Sequence, residues 1–421
     1  FELTRREALA GLAAGTFLAG TGCASLPGRS AGICDAGTTL ASEAEALLSL
    51  LPEVATYNGA EASLNGGPLA RRSNDYSPAG EQALRDGTSA SRERIAALNC
   101  STDSSAGLQA AVCEAVLANA GRSADVSYGH INPFSYVNHL PYLVSQISGP
   151  HIDTPAVMTT QQSVRSPEAI DAWLEKLDGF EATFDGIIEK IRADESAGCH
   201  PPQALLSKVL PVLDSFIAGP AEQHPLIQAL ETGMSDAVID RTMRENALRQ
   251  ATTALETKAR PAYVRLRDQI ADMLPRGQEN SGIWAQPDGE ALYAANILAL
   301  GDTEQSADEI HQIGLDEVAR ISAEMETLLT AQELTQGSVG ERMLALADDD
   351  RFLFDDSDAG RQELLDYLDT LVREAETRYP EFLPDEVVPQ QPMLIRRVPV
   401  ATQDLSLIHI SEPTRPAPLS R

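Results

Sequence analysis

Helix-forming residues recur along the whole sequence and restrict the chain to a mainly α-helical fold. Ala, Leu, Glu and Gln are frequent, and apolar residues repeat at helical spacing in several stretches. In the first of these stretches, residues 42–57, Pro52 should kink or shorten the helix. Because 43% of the 421 residues are hydrophobic, the chain can bury a sizeable core.

Further helices follow from capping residues and apolar spacing. A serine cap followed by proline starts one helix at Ser166, and the Ser306–Glu309 capping box starts another. Pro261 should kink or split the longest candidate, residues 235–274. The predicted helices after the first are 81–98, 106–120, 166–197, 203–217, 235–274, 306–332 and 357–378. In the last of them, Leu364, Leu365, Leu368 and Leu371 share one face.

Two stretches depart from this helical pattern. Residues 132–160 are rich in Pro, Tyr, Val and Ser, which predicts an ordered loop with extended pieces. Residues 387–402 are β-branched and interrupted by prolines, so a minor strand is predicted there.

The net charge of −30 excludes one class of partner. Nucleic-acid binding needs clustered Lys and Arg to neutralise phosphates, and this chain has 62 acidic but only 32 basic residues. We therefore expect no nucleic-acid partner.

The N-terminus has the features of an export signal. Arg5 and Arg6 precede a mildly apolar stretch, residues 8–22, which is too short to cross a bilayer as a helix. This arrangement resembles a twin-arginine translocation signal. Small residues precede Cys23, as in a lipoprotein cleavage site, so residues 1–23 should direct export and Cys23 should carry a lipid anchor. We expect a periplasmic or membrane-anchored lipoprotein; the alternative is an ordinary secretory signal with an incidental cysteine.

Four cysteines remain after Cys23, namely Cys34, Cys100, Cys113 and Cys199. An even number in an exported chain permits two disulfides, with three possible pairings. Buried free thiols are the alternative. No C-x-x-C pair occurs, which argues against a zinc ribbon or a thioredoxin-like redox site.

The last residues match a sequencing adapter. Residues 405–415 read LSLIHISEPTR, which is residue for residue the translation of a transposon end used in fragment-library preparation. We therefore expect residues 405–421 not to be natural, and the natural protein to continue beyond about Asp404. His409 is excluded as a ligand for the same reason. If the match were chance, the tail would be true coding sequence.

The remaining residues assign no catalytic, cofactor-binding or metal site. His130, His139 and His151 lie in one loop region and could converge, although hydrogen-bonded structural histidines explain the same pattern. No two histidines have the i, i+4 spacing of a zinc-binding helix. The motifs G-x-S-x-G, G-x-x-x-x-G-K-[ST] and G-x-G-x-x-G are absent, so a serine nucleophile elbow and a phosphate-binding loop are unsupported.

Several blocks of sequence carry a family resemblance. They read PYLVSQISGPHIDTP from Pro141, GIWAQPDGEALYAANI from Gly282, SADEIHQIGLDEVARI from Ser306 and GSVGERMLALADDDRFLF from Gly337. Together they resemble the bacterial domain of unknown function 885 family over residues 40–400. Members are often exported lipoproteins. Within these blocks, Trp284 and Tyr293 are expected to be core aromatic residues.

The resemblance implies a multi-helical, zinc-metallopeptidase-like domain. Family members carry an H-E-A-x-P-G-H-H-type motif, in which two imidazoles bind zinc and a glutamate activates water, and a later E-G-W-A-L-Y-type motif. Neither motif occurs in this sequence, so no catalytic residue is carried over. Residues 35–404 should therefore form the N-terminal portion of the domain, incomplete at its C-terminus and without zinc.

Two functions are consistent with these features. The resemblance predicts that the intact protein is a zinc-dependent peptidase or amide hydrolase acting on a peptide-like substrate, with this chain supplying helical walls of the cleft. The alternative is a non-catalytic helical lipoprotein that binds a ligand or partner in the cell envelope.

Overall fold

A computed structural model describes residues 36–395, except residues 136, 236, 238 and 384–387. Within this part of the chain the fold is mainly α-helical, as predicted. None of the helices described is long and apolar enough to span a membrane.

The described residues divide into two units. Unit 1 comprises residues 36–305 and unit 2 comprises residues 306–395. Each is described separately below.

Unit 1 is built from helices α1–α12, with one short hairpin and several single-turn segments. The α-helices are Ala36–Leu50, Pro52–Tyr57, Pro78–Ala96, Ser105–Gly121, Pro150–Thr160, Pro167–Asp178, Phe180–Ser196, Gln203–Ile217, Pro225–Ser235, Arg241–Ala254, Arg260–Met273 and Gly289–Gly301. The 3-10 turns are Glu61–Gly66, Ala221–Gln223, Leu274–Arg276 and Ile283–Ala285. The strands β1 (His130–Ile131) and β2 (His139–Leu140) pair antiparallel, with Ile131 opposite His139.

Serine caps and prolines determine where these helices begin and end. Ser166 Oγ accepts a hydrogen bond from Ala169 N at 3.2 Å, which confirms the predicted start of α6. The predicted helix 166–197 is nevertheless two helices, because α6 ends at Asp178 and α7 begins at Phe180. Pro52 separates α1 from α2, as predicted.

The longest predicted helix is interrupted just before Pro261. A π-helical turn, Leu255–Ala259, joins α10 to α11 just before Pro261. Because proline has no backbone N–H, it cannot complete the regular i to i−4 ladder, and a π turn is a usual way to accommodate the break. The helix also begins later than predicted, at Arg241, where Asp240 caps the first turn.

Aromatic side chains fill the core of unit 1. Trp173, Phe180 and Phe184 are fully buried with Tyr263, and the Phe184 and Tyr263 ring centroids are 4.4 Å apart. The Trp173 indole N–H is satisfied by Met158 O at 3.0 Å. Burial of each such side chain contributes about 1.5–3 kcal/mol of hydrophobic free energy, so this layer carries much of the stability of unit 1.

Helix α5 (Pro150–Thr160) corrects the loop predicted for residues 132–160. The first part of that stretch contains β2 of the hairpin, but the last part is helical. Pro155 lies inside α5 and cannot bond to the carbonyl of His151, four residues earlier. The hydroxyl of Tyr263 donates to that carbonyl at 2.6 Å, so a distant residue compensates for the missing bond.

Unit 2 consists of helices α13–α16, which are Ala307–Ala331, Val339–Ala347, Asp358–Thr377 and Tyr379–Phe382. The capping box at Ser306 and Glu309 is present, and a second one at Ser338 and Glu341 starts α14. The strand predicted for residues 387–402 is wrong in its described portion. Residues 388–395 contain no strand, because Pro389 and Pro392 cannot donate to a ladder.

Candidate functional site

The three histidines of the predicted loop region occupy separate environments in unit 1. His130 Nδ1 lies 2.7 Å from Glu81 Oε2, and His139 Nε2 donates to Tyr128 O at 2.9 Å. His151 lies on α5 and is buried. Burial lowers the pKa of His139 and of His151 to about 4, so both are neutral at pH 7.

Metal ligation by these side chains has no geometric support. Within the described ranges, no group of three or more His, Cys, Asp or Glu side chains is placed to hold a metal ion. That this chain carries no metal or catalytic residue of its own stays a prediction.

Glu81 links α3 to the hairpin. Its Oε1 accepts from Arg85 Nε at 2.7 Å and from Ile131 N at 3.2 Å, while Oε2 faces His130. Burial opposes ionisation of Glu81, but His130 and Arg85 outweigh it and lower the pKa to about 2. With both oxygens engaged by protein groups, this carboxylate fixes the position of β1 rather than presenting an open site.

A second buried carboxylate, Glu53, organises the interior beneath α2. Its Oε2 accepts from Tyr76 OH at 2.7 Å and its Oε1 from Thr154 Oγ1 at 2.8 Å. Lys176 is only 1% exposed, attracts Glu53 electrostatically and has no hydrogen-bond partner among the described residues. Burial lowers the pKa of Lys176 to about 8 and raises that of Glu53. The electrostatic attraction between Glu53 and Lys176 opposes both of these shifts.

The described cysteines differ in state. Cys100 is disulfide-bonded, whereas Cys113 and Cys199 are free thiols. Burial raises the pKa of Cys113, and it raises that of Cys199 to about 12. Both thiols are therefore protonated at neutral pH and are poor nucleophiles.

Some predicted site residues fall outside the described residues. These are Arg5, Arg6, Cys23 and Cys34, so the export signal, the lipid attachment and the part of Cys34 in a disulfide stay predictions.

Unit 2 exposes much of its hydrophobic content. We call the following set the apolar surface of unit 2: Ile313, Leu315, Val318, Ile321 and Leu328 of α13, and Leu364, Tyr367, Leu368 and Leu371 of α15. Val318 and Leu328 are 65% and 67% exposed. Among the described residues of unit 2, Leu329 is the one large hydrophobic side chain that is buried. The predicted leucine face of α15 is thus formed but left open to solvent.

The polar side chains of α13 are already paired with one another. Arg320 lies between Glu317 and Glu324, at 2.7 Å and 2.6 Å, and Arg342 of α14 pairs with Glu326. The two Arg320 pairs have i, i+3 and i, i+4 spacing and stabilise a solvated helix face, whereas the Arg342–Glu326 pair joins α13 to α14. The helix is therefore amphipathic, with one side suited to water and the other suited to packing.

The aromatic residues of the tryptophan block are not core residues, contrary to expectation. Trp284 is 65% exposed and Tyr293 is 50% exposed. Leu292, between them, is fully buried and packs with Tyr128 and Cys199. Leu292 therefore fixes α12 to the rest of unit 1, while Trp284 and Tyr293 are exposed to solvent.

Comparison with known proteins places the chain in a family. The model for "Bacterial protein of unknown function (DUF885)" matches residues 52–420. The chain belongs to this family. No curated protein matches this DUF885 chain.

A solved structure is similar to this DUF885 protein. It is the crystal structure of "the putative lipoprotein from Colwellia psychrerythraea", with 29% sequence identity and a TM-score of 0.77. The alignment covers 87% of the present chain and 63% of the other, so the DUF885 chain spans less than two thirds of the protein it matches.

Proposed function

We propose that this chain is the helical front portion of an exported, lipid-anchored protein that, when intact, is a zinc-dependent peptidase or amide hydrolase. The observation that carries the proposal is the apolar surface of unit 2. Helices with one apolar side normally pack that side against another element, whereas α13 and α15 each expose several large hydrophobic side chains. Further polypeptide of the same protein would cover this surface and make unit 2 part of a cleft wall.

The extent of the structural match supports further polypeptide. The alignment leaves out 37% of the Colwellia lipoprotein, and we propose that the intact form of the present protein has a counterpart of that part. The lipoprotein description of that neighbour, together with Arg5, Arg6 and Cys23, supports export and anchoring.

The chemistry rests on the family resemblance. In the intact protein the H-E-A-x-P-G-H-H-type motif would supply zinc ligands and the base, and zinc would activate water for attack on an amide carbonyl. No residue of the present chain is assigned to zinc. Its part is to position the peptide-like substrate and to exclude water.

The proposal is tested at the gene and then on the protein. A long read across the codons for residues 398–415 should replace LSLIHISEPTR with a natural continuation that contains the histidine motif. The protein expressed from that complete reading frame should retain about one zinc after dialysis and cleave peptides, and substitution of the motif glutamate should abolish cleavage. A complete protein that neither retains zinc nor cleaves any peptide would refute the proposal.

The second candidate is a non-catalytic envelope lipoprotein. The same apolar surface favours it, because a separate partner protein could bind there as well. A natural continuation without the histidine motif, or a stop codon directly after residue 421, would decide for this alternative.

The open surface also predicts how the chain behaves when expressed alone. We expect self-association and strong binding of the dye ANS. The double variant Val318→Glu/Leu328→Glu should reduce both, whereas Thr327→Glu, which adds charge to the polar side of α13, should reduce neither. Monomeric wild-type chain without dye binding would contradict the role given to the apolar surface.

A further inference from the structure

Helix α12 has the composition of a helix that is buried on every side. Apart from Glu290 and Asn296, its residues are Gly, Ala, Leu, Ile and Tyr. A helix that is apolar all round normally lies in the interior of a protein, because no side of it suits water. Leu292, however, is the one side chain of α12 that is buried, and it packs with Tyr128 and Cys199. One side of α12 is therefore packed and the other is open.

The open side of α12 forms a continuous apolar stripe. Tyr293, Ile297 and Leu300 follow one another at i, i+4 and i+7, so they share one face of the helix. Tyr293 and Leu300 are about half exposed, and Ile297 is partly exposed. Trp284 adjoins this face, because a Cβ at Gly289, one turn before Tyr293, would lie 3.0 Å from Trp284 Cα. We call Trp284, Tyr293, Ile297 and Leu300 the α12 stripe.

The backbone that carries the α12 stripe is firmly held. The turn Ile283–Ala285 meets the start of α12 so closely that a Cβ at Gly289 would lie 2.0 Å from Ile283 O. Gln286, which is buried, bonds both backbone groups of His200, at 2.9 Å and 2.6 Å. A partner would therefore meet a preformed surface, and ordering this surface would cost little. Trp and Tyr are also the residue types that most often dominate the binding energy of an interface.

The charge around the α12 stripe narrows the choice of partner. Exposed carboxylates flank it in the sequence, at Glu279, Asp288, Glu290, Asp302 and Glu304. No Lys or Arg occurs between Arg276 and Arg320. A second copy, with its net charge of −30, or an anionic lipid surface would be repelled here. The α12 stripe therefore suits a partner that combines apolar side chains with Lys or Arg, which can also stack on Trp284.

We propose that the α12 stripe is where polypeptide beyond residue 404 of the intact protein docks, through a segment that carries apolar side chains flanked by Lys or Arg. The solved neighbour has polypeptide available for such a contact, since the alignment leaves out 37% of the Colwellia lipoprotein. This docking rests on the part of the proposed function that gives the intact protein further polypeptide, and it does not depend on hydrolase activity. It gives that polypeptide a contact in unit 1 in addition to the one proposed at the apolar surface of unit 2.

Residue-resolved oxidation tests the docking. Hydroxyl radicals are generated in solutions of the present chain and of the protein expressed from the complete reading frame, and oxidation is read by mass spectrometry. Trp284 and Tyr293 should be oxidised readily in the present chain and several-fold more slowly in the complete protein. Trp173, which is buried, should stay protected in both, and the exposed Tyr57 of α2 should react in both. Equal reactivity of Trp284 in the two proteins would overturn the proposal, as would a natural stop codon directly after residue 421.

A substitution within the α12 stripe tests the same contact through stability. Leu300→Glu should lower the melting temperature of the complete protein by several degrees, because it places a charge in an apolar interface, and should change that of the present chain little. Tyr57→Glu, at an exposed residue of α2, is the matched control and should change neither. Similar shifts for Leu300→Glu in both proteins would contradict the docking.

Glu290→Lys tests the charge of the docking segment. In the complete protein it should lower the melting temperature, because it places a cation opposite Lys or Arg, and the shift should shrink as salt is added. In the present chain the same substitution reduces the repulsion among acidic residues and should not lower the melting temperature. An unchanged or raised melting temperature in the complete protein would show that the docking segment is not cationic.

Other occupants and the hydrolase activity are read separately. Protection of Trp284 that grows with the concentration of the present chain would assign the α12 stripe to a second copy, and protection by phosphatidylglycerol vesicles would assign it to the membrane. Either result overturns the proposal. Zinc content and peptide cleavage are measured on the same complete protein. Protected Trp284 without cleavage supports the docking and refutes the hydrolase, and cleavage with reactive Trp284 does the reverse.

Discussion

Unit 1 and unit 2 are made of the same kind of helix but differ in what those helices enclose. In both, serine caps start helices, as at Ser166 and Ser306, and apolar residues repeat at helical spacing. In unit 1 these residues form a layer around Trp173 and Phe184, whereas in the described part of unit 2 only Leu329 among the large hydrophobic residues is buried. Capping residues and apolar spacing therefore specify where helices form, but the helices become a stable domain only when their apolar side chains are buried.

The largest expected effect separates a core side chain from a surface one. Phe184→Ala should lower the free energy of unfolding by about 3–5 kcal/mol, because it leaves a cavity among packed aromatic rings. Leu328→Ala in unit 2 should change it by no more than about 0.5 kcal/mol. Urea denaturation followed by far-UV circular dichroism, which reports on the helices of both units, measures both. An equal decrease in the free energy of unfolding in the two variants would mean that unit 2 has a core of its own. The proposed difference between the units would then be wrong.

The next effect is the pH dependence that arises from the buried histidines of unit 1. Burial lowers the pKa of His139, His151 and His224 to about 4, below the unfolded value of about 6.5. In this window the unfolded state binds protons that the folded state does not. The free energy of unfolding is therefore unaffected by these histidines above pH 6.5. As the pH falls towards 4, each histidine lowers it by up to about 3 kcal/mol.

Glu53 acts in the opposite direction, because burial raises its pKa and acid relieves its cost. A single-site comparison isolates one histidine. The difference in unfolding free energy between pH 7 and pH 4.5 should be smaller in His139→Gln than in the wild type. An unchanged difference would show that His139 does not titrate differently in the two states. Hydrogen exchange should show that the part of the acid-induced loss that His139→Gln removes lies in unit 1.

The smallest effect concerns the helix caps. Ser166→Ala and Ser306→Ala each remove a side-chain acceptor from a first-turn N–H, at 3.2 Å and 3.3 Å, and each should cost about 1 kcal/mol. Ser166→Ala should shift the global urea midpoint of unit 1. Ser306→Ala should only raise hydrogen exchange at the start of α13. A shift of the urea midpoint of unit 1 by Ser306→Ala would indicate that the two units unfold together.

The features predicted from sequence are those whose causes are local. The start of α6 follows from Ser166 and Pro167, that of α13 from the Ser306–Glu309 box, and the break at Pro52 from a missing N–H. Each cause lies within four residues of its effect.

Features that depend on distant partners were missed. Helix α5 tolerates Pro155 because Tyr263, 112 residues from His151, satisfies the freed carbonyl. Composition alone favoured a loop there. Trp284 was expected in the core because tryptophan is usually buried, but it is exposed, and Leu292 of the same block is the residue that is buried.

The hydrogen bonds of the buried polar groups also depend on residues that are distant in sequence, so they could not be predicted. The possible convergence of the loop histidines was left open, and the sequence gives no sign that Glu81, 49 residues from His130, would bond to it. Nor does it distinguish Glu53 from the many solvated carboxylates, because burial of that side chain depends on Tyr76, Thr154 and Lys176 meeting around it.

The buried position of Lys176 has a practical consequence for following this molecule in solution. The whole sequence contains four lysines, Lys176, Lys190, Lys208 and Lys258, and none falls in unit 2. Lys176 and Lys190 are buried, whereas Lys208 is exposed. An amine-reactive reagent will therefore label Lys208 at once and reach Lys176 only when unit 1 opens. The labelling of Lys176 relative to Lys208, followed over time by mass spectrometry, therefore measures how fast unit 1 opens.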